Sequence, residues 1–206
     1  MIPPNEDAWC PWSPHHLAER LTGVAVPWYV VGGWALDLWL GEERRSHDDL
    51  EFAVAPEDAP RVARRLSDLA FFEAKSGALR EVDATAPIAD GAWQWWGADM
   101  EAQCWRVDMM AERGTVDRWR YKRDPSLLVP RANAIRTTSD GIRYLAPSLV
   151  LLFKAKHCRP KDEADFDAVA GRLNDPDRSD LRQWLRDLHP GHDWIGRLGD
   201  GHTVPS

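Results

Sequence analysis

The chain has 206 residues, of which 44% are hydrophobic and 29% are charged. This composition is that of a folded protein with a buried core, and it excludes an intrinsically disordered chain. The 33 acidic residues outnumber the 26 basic ones and give a net charge of −7, which argues against nonspecific binding along nucleic acid. No apolar run approaches a membrane span, and no basic segment precedes an apolar one at the N-terminus. We therefore expect a cytoplasmic protein that binds neither membranes nor nucleic acid.

The first informative stretch is a strand followed by a glycine pair and a helix. Trp28–Val31 is a short aromatic and β-branched run, which predicts a buried strand. Gly32 and Gly33 follow, and glycines let the backbone turn tightly and lie close to a ligand. Trp34–Leu40 carries leucines four residues apart and ends at Gly41, as an amphipathic helix would. A helix that begins after such a pair directs free N–H groups and a positive dipole end toward a bound group, usually a phosphate.

Two carboxylates follow in a second apolar run. Asp49 and Glu51 are two residues apart, so on a strand they share one face and lie roughly 6–7 Å apart. Leu50 and Phe52 then point the opposite way, into a core. Mg²⁺ is usually held by one or two carboxylates together with substrate phosphates. Either motif alone is most simply a plain turn or the solvated face of an edge strand, but the two together in this order favour a magnesium and phosphate site.

The polar loop Gly41–His47 is expected to lie beside the same strand ends as the glycine pair. Arg45 offers a planar guanidinium suited to phosphate oxygens, and His47 is placed to touch a triphosphate as well. Two alternatives stay open. The loop could be an ordinary charged surface, and His47 could orient the side chain of Asp49.

These residues resemble a known family. Gly32-Gly33 followed by Asp49-Leu50-Glu51 resembles the signature of the nucleotidyltransferase superfamily related to DNA polymerase beta. The fuller pattern, Gly-Gly-Trp-Ala-Leu-Asp with Arg45-x-His47-x-Asp49, is similar to that of the small aminoglycoside and lincosamide nucleotidyltransferases. The similarity covers Val30–Val54 and Tyr144–Asp165. The resemblance implies an α+β fold, in which a small mixed sheet flanked by helices is joined to a helical C-terminal lobe.

A later strand supplies a candidate third carboxylate. Along Cys104–Met110, apolar Trp105, Val107 and Met109 alternate with Arg106, Asp108 and Met110, as in a half-buried strand. Polymerase-type nucleotidyltransferases resemble one another in needing a third acid from a later strand, and Asp108 fits by type and position. Its role would be to take the proton of an acceptor hydroxyl. Arg106, predicted on the same face, could instead simply pair with Asp108.

The middle and C-terminal parts carry weaker signals. The aromatic run Trp93–Trp96 is either a stacking platform for a ring or a core cluster. Thr137–Tyr144 contains Asp-Gly between extended runs, which predicts a hairpin. We expect that hairpin to connect a catalytic domain, residues 1–144, to a helical domain, residues 145–206. Residues 1–12 and the residues after His189 are predicted to be loosely ordered ends.

The helix predicted from Ser148 to Cys158 bears two lysines near its end, followed by the acids Asp162 and Asp165. Acids in the first turn of a helix favour its dipole, which is a sufficient structural reason for Asp162. This segment also resembles one in the antibiotic-modifying relatives, where a lysine reaches the nucleotide phosphates and acids position it. The resemblance implies that role for Lys154, and next for Lys156.

The resemblance also implies an activity. A nucleoside monophosphate, expected to be AMP from ATP although another NTP is open, would move to a hydroxyl of a small-molecule acceptor with release of pyrophosphate. The acceptor expected first is an aminoglycoside-like antibiotic, in keeping with a resistance enzyme and with a negative chain that suits a cation. Mg²⁺ would be held by Asp49, Glu51 and Asp108, in a monomer or homodimer. The alternatives are a toxin-type nucleotidyltransferase that modifies tRNA or protein, and a nucleotide-binding module without catalysis.

Overall fold

The computed structural model describes residues 1–88 and 91–199. Within these residues, an eight-stranded mixed sheet has the order β4-β3-β5-β6-β2-β1-β10-β9, and β7 and β8 form a separate two-stranded ribbon. The strands are β1 (Trp28–Val30), β2 (Glu51–Val54), β3 (Ala70–Lys75), β4 (Ala78–Glu81), β5 (Gln94–Asp99), β6 (Cys104–Ala111), β7 (Arg118–Arg120), β8 (Leu128–Pro130), β9 (Ile135–Thr137) and β10 (Arg143–Leu145). The helices are α1 (Pro14–Arg20), α2 (Gly32–Leu40), α3 (Ala59–Arg65), α4 (Arg131–Ala134), α5 (Pro147–Lys154), α6 (Pro160–Ala170), α7 (Asp175–Leu188) and α8 (Trp194–Arg197). None of the helices in the described ranges has the length and apolar character needed to cross a membrane.

The centre of the sheet is built from the strands that the sequence pattern predicted. β1 pairs antiparallel with β2, and β2 pairs parallel with β6. Val30 and Phe52 pair across β1 and β2, and both are fully buried. Burial of these β-branched and aromatic side chains explains why the short runs form strands. The mixed α+β architecture is therefore confirmed.

Helix α2 begins at the glycine pair itself, two residues before the predicted start at Trp34. Gly32 has a positive φ of 64°, so the strand-to-helix turn uses a conformation that side-chain-bearing residues rarely adopt. The helix ends as predicted at Gly41, which takes the left-handed conformation with φ of 79°. The turn thus directs the start of α2 at the ends of β1 and β2.

The predicted hairpin is present, but it does not act as a connector. β9 and β10 pair antiparallel, and β10 also pairs in parallel with β1 through Tyr144 and Val30. The predicted boundary between residues 144 and 145 falls inside β10. The hydrophobic core continues across it, because Leu149 and Leu152 of α5 belong to the same buried cluster as Val30. The division into two domains remains a prediction. The parts on either side of the boundary share one hydrophobic core.

The expectation that residues 1–12 are loosely ordered is wrong. Their backbone runs along the part of β6 that β2 does not reach, and Cys10 N donates to Trp105 O at 3.0 Å. The indole Nε1 of Trp105 donates to Asn5 O at 2.8 Å. Trp9 packs against Trp96 and Trp105, with ring centroids 5.1 Å and 6.2 Å away. Aromatic packing and strand-type hydrogen bonds therefore order a segment whose prolines favoured a loose lead-in.

The prediction of a loose tail after His189 is wrong for the residues that the structure describes. Trp194 opens α8, is fully buried, and stacks on Phe166 with ring centroids 4.3 Å apart. The buried side chain of Trp194 orders the segment around α8, where glycines and histidines predicted a loop. Residues 200–206 lie outside the described ranges.

Helix α5 ends at Lys154, earlier than the predicted Cys158.

Candidate active site

Glu51 and Asp108 are direct neighbours on adjacent parallel strands. They are register partners between β2 and β6, so their side chains project from the same face of the sheet. Asp49 lies just before β2, which begins at Glu51, and this corrects the prediction that both acids belong to one strand. Asp49 is still close enough for its charge to raise the pKa of Glu51 and of Asp108. The structure therefore brings the three predicted acids within electrostatic reach of one another.

Asp108 is 3% exposed and only half satisfied. Its Oδ2 accepts a hydrogen bond from Gln94 Nε2 at 2.6 Å, whereas its Oδ1 is buried without a partner. Trp96, opposite Asp108 on β5, has a buried Nε1 that makes no hydrogen bond of normal geometry, yet its indole is close enough to lower the pKa of Asp108. A buried carboxylate oxygen without a full hydrogen bond costs free energy, so a cation at this cluster of acids would be stabilising. The alternative that Arg106 pairs with Asp108 is wrong, because Arg106 binds Asp99 at 2.9 Å.

Burial raises the pKa values of the three acids and so disfavours their simultaneous ionisation. Burial first, and then the charge of Asp49, raises the pKa of Glu51 from 4.5 to about 7. Burial also raises the pKa of Asp108 well above its ordinary value, and the charge of Glu51 adds to this shift. Burial is the main cause of the raised pKa of Asp49. Carboxylates that repel one another in a buried site are stabilised by a proton or a cation.

The glycine pair lies directly against the predicted site residues. A Cβ atom at Gly32 would lie 1.9 Å from Glu51 Oε2, and one at Gly33 would lie 2.5 Å from Arg45 Nη2 and 2.7 Å from His47 Nδ1. No side chain fits in either place without moving a neighbour. The pair is therefore needed both for the turn and for the close approach of α2 to Glu51, Arg45 and His47.

Arg45 and His47 are held by α2 and α6 rather than lying free in a loop. Arg45 Nη2 donates to Asp165 Oδ2 at 3.2 Å, with its side chain 25% exposed. His47 Nε2 lies 2.7 Å from Asp37 Oδ2, its ring stacks on Trp34, and its side chain is 2% exposed. Burial lowers the pKa of His47, so the ring is neutral near pH 7. His47 contacts Asp37 and not Asp49, so the alternative that it orients Asp49 is wrong; nucleotide contact by Arg45 or His47 stays a prediction.

Lys154 is buried between two acids of α6. Its Nζ lies 3.1 Å from Asp162 Oδ1 and 2.9 Å from Asp165 Oδ2, and its side chain is 8% exposed. Burial opposes ionisation of Asp162, but its bonds to Arg159 and Lys154 outweigh this and lower its pKa to about 2. Two of the three donors of this ammonium group are directed at carboxylates, so a phosphate could use only the third unless an ion pair opens. The ion pairs fit the expectation that acids position Lys154. Contact between Lys154 and a phosphate remains a prediction.

The two remaining lysines near the site differ in position. Lys156 is exposed, and its charge acts on His189, whose pKa it helps to lower after burial. Lys161 forms an ion pair with Asp48 at 3.0 Å, and its charge lowers the pKa of Asp49 and of Glu51 against the effect of burial. Lys161 therefore acts electrostatically on Asp49 and Glu51, whereas Lys156 is not among the groups that shift their pKa values. Nucleotide binding by Lys156 stays a prediction.

The donor set fits a divalent cation of the magnesium type. In the described part of the chain, no three His, Cys, Asp or Glu side chains stand close enough together to ligate one ion without help. Mg²⁺ does not need such a cage, because it binds through one or two carboxylates, substrate phosphates and water. The unpartnered Asp108 Oδ1 and the raised pKa of Glu51 supply oxygen ligands that a cation would satisfy. A magnesium site formed by Asp49, Glu51 and Asp108 remains a prediction that these observations fit.

Comparison with solved structures identifies the fold. A solution structure of the antibiotic-resistance factor ANT(2'')-Ia matches with a TM-score of 0.56 at 13% identity, over 84% of this chain and 89% of that chain. The chain has the nucleotidyltransferase fold. A family model described as aminoglycoside-2''-adenylyltransferase matches residues 15–89, which include the glycine pair, Asp49 and Glu51. The resemblance to the nucleotidyltransferase superfamily is therefore confirmed, and the match supports a nucleotidyltransferase.

Two further solved structures with the nucleotidyltransferase fold are similar at lower scores. A crystal structure of ANT(2'')-Ia with adenylyl-2''-tobramycin matches with a TM-score of 0.48 at 14% identity, over 89% of this chain and 91% of that chain. The lincosamide antibiotic adenylyltransferase LnuA, bound to lincomycin, matches with a TM-score of 0.48 at 15% identity, over 82% of this chain and 92% of that chain. A search of curated proteins by sequence returned no match.

Sequence reasoning missed two residues that hold predicted site residues in place, namely Gln94, which contacts Asp108, and Asp37, which contacts His47. Gln94 lies in an aromatic run, and its hydrogen bond to Asp108 follows only from the pairing of β5 with β6. Asp37 lies on a helix that reads as amphipathic, yet it is 3% exposed and binds Arg44 and His47. The one available signal was a charged residue inside an otherwise apolar helix, because buried charges are almost always paired.

Proposed function

We propose that the protein is an adenylyltransferase that moves AMP from ATP to a hydroxyl group of a small-molecule acceptor. The observation that carries this proposal is the pair formed by half-buried Glu51 and buried Asp108, which lie side by side next to the turn at Gly32 and Gly33. Acids with raised pKa values in a buried site next to a helix start suit a cation and a phosphate chain. The family match over residues 15–89 supports the same reaction class.

The reaction forms a bond between the acceptor oxygen and the α-phosphorus, and breaks the bond between that phosphorus and the oxygen of the leaving pyrophosphate. The hydroxyl proton passes to Asp108 Oδ1, which is buried and accepts no hydrogen bond of normal geometry. Gln94 holds the other carboxylate oxygen at 2.6 Å and fixes the orientation of the group. The raised pKa of Asp108 makes it a stronger proton acceptor than an exposed aspartate.

Mg²⁺, held by Asp49 and Glu51 and shared with Asp108, would neutralise charge on the α-phosphate. The remaining phosphates would lie at the start of α2, which begins at Gly32 and Gly33. Arg45 reaches the same place, since its guanidinium lies against Gly33. Transfer of this kind depends mainly on positioning and on charge stabilisation, which this arrangement provides.

The acceptor that we propose first is an aminoglycoside-type antibiotic. The supporting observations are the description of the matching family, aminoglycoside-2''-adenylyltransferase, and the net charge of −7, which favours a cationic acceptor. Lincosamides form the second group, because the resemblance noted in the sequence includes both classes of enzyme. The activity would then confer antibiotic resistance by modification of the drug.

The experiment is a screen for ATP-dependent pyrophosphate release with Mg²⁺ and a panel of aminoglycosides and lincosamides. We expect release with at least one acceptor and none with Asp49→Asn, whose circular dichroism should stay native. Asp48→Asn is the matched control, because Asp48 is the next residue but its side chain is 77% exposed and binds Lys161. Binding of Mg-ATP without pyrophosphate release for any acceptor would instead indicate a nucleotide-binding module. Full turnover by Asp49→Asn would refute the site.

A further inference from the structure

The guanidinium of Arg45 is anchored by a carboxylate that lies 120 residues away in the chain. Asp165 of α6 accepts a hydrogen bond from Arg45 Nε on Oδ1 at 3.4 Å, and one from Arg45 Nη2 on Oδ2 at 3.2 Å. The other terminal nitrogen, Nη1, donates to Ser46 O at 3.0 Å. A planar group held at three points has little freedom to rotate. Asp165 therefore helps to set the direction in which Arg45 points its remaining donors.

The carboxylate of Asp165 is itself fixed in place. The residue is fully buried. Its Oδ1 also accepts a hydrogen bond from Arg44 Nη2 at 3.0 Å, and its Oδ2 lies 2.9 Å from Lys154 Nζ. Each carboxylate oxygen therefore contacts two cationic groups, and a buried carboxylate paired in this way cannot leave its partners without a large cost. This anchor joins α5 and α6 to the loop that precedes β2.

The nitrogen that Asp165 holds lies against the glycine pair. A Cβ atom at Gly33 would be 2.5 Å from Arg45 Nη2, and α2 begins at Gly32. A guanidinium carries five N–H groups. In the part of the chain that the structure describes, three of them donate to Asp165 and Ser46, which leaves one N–H on Nη1 and one on Nη2. The side chain is 25% exposed, and N–H groups on two terminal nitrogens suit two phosphate oxygens.

We propose that Asp165 is a positioning residue that aims the two remaining N–H groups of Arg45 at the terminal phosphates of the nucleotide. The inference rests on the proposed function, in which those phosphates lie at the start of α2. Without Asp165, the guanidinium keeps only its bond to Ser46 O and can turn away from Gly33. The terminal phosphates leave as pyrophosphate, so a fixed guanidinium beside them stabilises the negative charge that develops there. A helix of the C-terminal part of the chain thereby completes the phosphate site that begins at the glycine pair.

Charge and orientation predict opposite effects of replacing Asp165 by asparagine. The substitution removes a negative charge beside Arg45, and by Coulomb's law alone this would strengthen the binding of an anion. It also turns one of the two acceptor oxygens into an NH₂ donor, so the two-point hold on Arg45 is lost. Weaker binding of the nucleotide therefore indicates positioning, whereas tighter binding indicates an effect of charge alone.

The test is calorimetry with the full chain, Mg²⁺ and the α,β-methylene analogue of ATP, which avoids turnover. We expect the dissociation constant of Asp165→Asn to rise roughly tenfold, as the loss of one charge-assisted hydrogen bond implies. Arg45→Met should show a rise of at least that size. In the Arg45→Met background, Asp165→Asn should weaken binding no further, because the two residues act through one contact. AMP lacks the terminal phosphates, so its dissociation constant should stay within about twofold of the wild-type value for each variant.

Asp177→Asn is the matched control. Asp177 is 8% exposed and pairs with Arg136 at 2.8 Å, so it is likewise a buried aspartate bound to an arginine, but it lies on α7. Its affinity for the analogue should stay within about twofold of the wild type. Circular dichroism identifies the variants that fold.

If Asp165→Asn does not fold, Asp165→Glu decides the matter. Glutamate keeps the buried charge but moves the carboxylate by one methylene, and misplacement of this kind should raise the dissociation constant about threefold or more. Wild-type affinity of a folded Asp165→Glu would then overturn the positioning role.

The outcomes are separable. If Asp165→Asn binds the analogue as tightly as the wild type or more tightly, the positioning role is overturned and the proposed function stands. Additive effects of Asp165→Asn and Arg45→Met would overturn the role in the same way. An equal loss of AMP binding would overturn the assignment to the terminal phosphates. A wild-type protein that binds no nucleotide would overturn the proposed function, and this inference with it.

Discussion

Glu51 and Asp108 face each other across the parallel pair β2 and β6, and the charge of Glu51 helps to raise the pKa of Asp108. In a sheet, register partners on one face lie within direct electrostatic reach, so their protonation states depend on each other. Two acids in this relation cannot both ionise without cost unless a cation lies between or beside them. The site is therefore suited to bind a cation, and the protonation of its acids should change with pH and with metal binding.

We expect Asp108→Asn to abolish transfer while nucleotide binding is retained. The amide cannot accept the hydroxyl proton, and loss of a general base lowers a rate by about 10²–10⁴-fold. Single-turnover kinetics should show this loss in the chemical step, while calorimetry with Mg-ATP should show a dissociation constant within about tenfold of the wild type. Wild-type turnover by Asp108→Asn would show that another group takes the proton.

Metal-free protein should lose stability between about pH 4.5 and 7 because of Glu51. Burial raises the pKa of Glu51 from 4.5 to about 7 in the folded chain. Between these values the folded state holds a proton that the unfolded state has released, so the free energy of unfolding falls as pH rises. Glu51→Gln has no such proton. We therefore expect urea titrations in EDTA to show that the free energy of unfolding of the wild type falls relative to that of Glu51→Gln as pH rises. Over this window the fall should be on the order of a few kcal/mol. A constant difference between the two proteins across pH 4.5–7 would contradict the raised pKa of Glu51.

We expect Gly33→Ala to destabilise the fold by about 1–3 kcal/mol, because overpacking of a tight contact costs that much. The new Cβ would lie 2.7 Å from Nδ1 of His47, whose ring is held by Asp37 and Trp34 and cannot move freely. Gly171→Ala is the control, because a Cβ there meets nothing within 4 Å. Urea denaturation should place Gly171→Ala within about 0.5 kcal/mol of the wild type. Equal stability of both variants would show that the approach of α2 to His47 is loose.

Asp165→Asn should cost about 3–5 kcal/mol of stability at pH 7, the usual effect of removing one partner from a buried charge network. Asp165 lies 3.0 Å from Arg44, 3.2 Å from Arg45 and 2.9 Å from Lys154. Its pKa is lowered, because the bonds from Arg45 and Lys154 outweigh burial. Its contribution is therefore present above the ordinary value of 3.8 and is lost as pH falls through the lowered pKa.

The difference between wild type and Asp165→Asn should accordingly shrink as the pH of a urea titration is lowered below about 4. Asp48→Asn is the control, since its pair with Lys161 is exposed and should contribute under about 1 kcal/mol. A cost for Asp165→Asn no larger than that for Asp48→Asn would show that the buried network is not needed for stability.

Trp194→Ala should destabilise the protein by about 3–5 kcal/mol, as expected for a large aromatic side chain removed from a core. Trp194 is fully buried, and its Nε1 donates to Glu163 Oε1 at 3.0 Å. Val116→Ala, at a side chain that is 89% exposed, should change the free energy of unfolding by less than about 0.5 kcal/mol. Thermal unfolding followed by circular dichroism measures both. Similar melting temperatures for the two variants would mean that the C-terminal helix does not share the core.

The sequence alone determined the strand, the glycine pair, the helix and the superfamily, and it predicted the site acids Asp49, Glu51 and Asp108. These features are local, since alternation, glycine turns and helix ends depend on a few neighbouring residues. It did not determine the partners of those acids. The contact of Gln94 with Asp108 depends on the register of β5 against β6, and the burial of Lys154 depends on how α5 packs on α6. Pairing and packing join residues far apart in the chain, so only the tertiary structure decided which charges are neutralised.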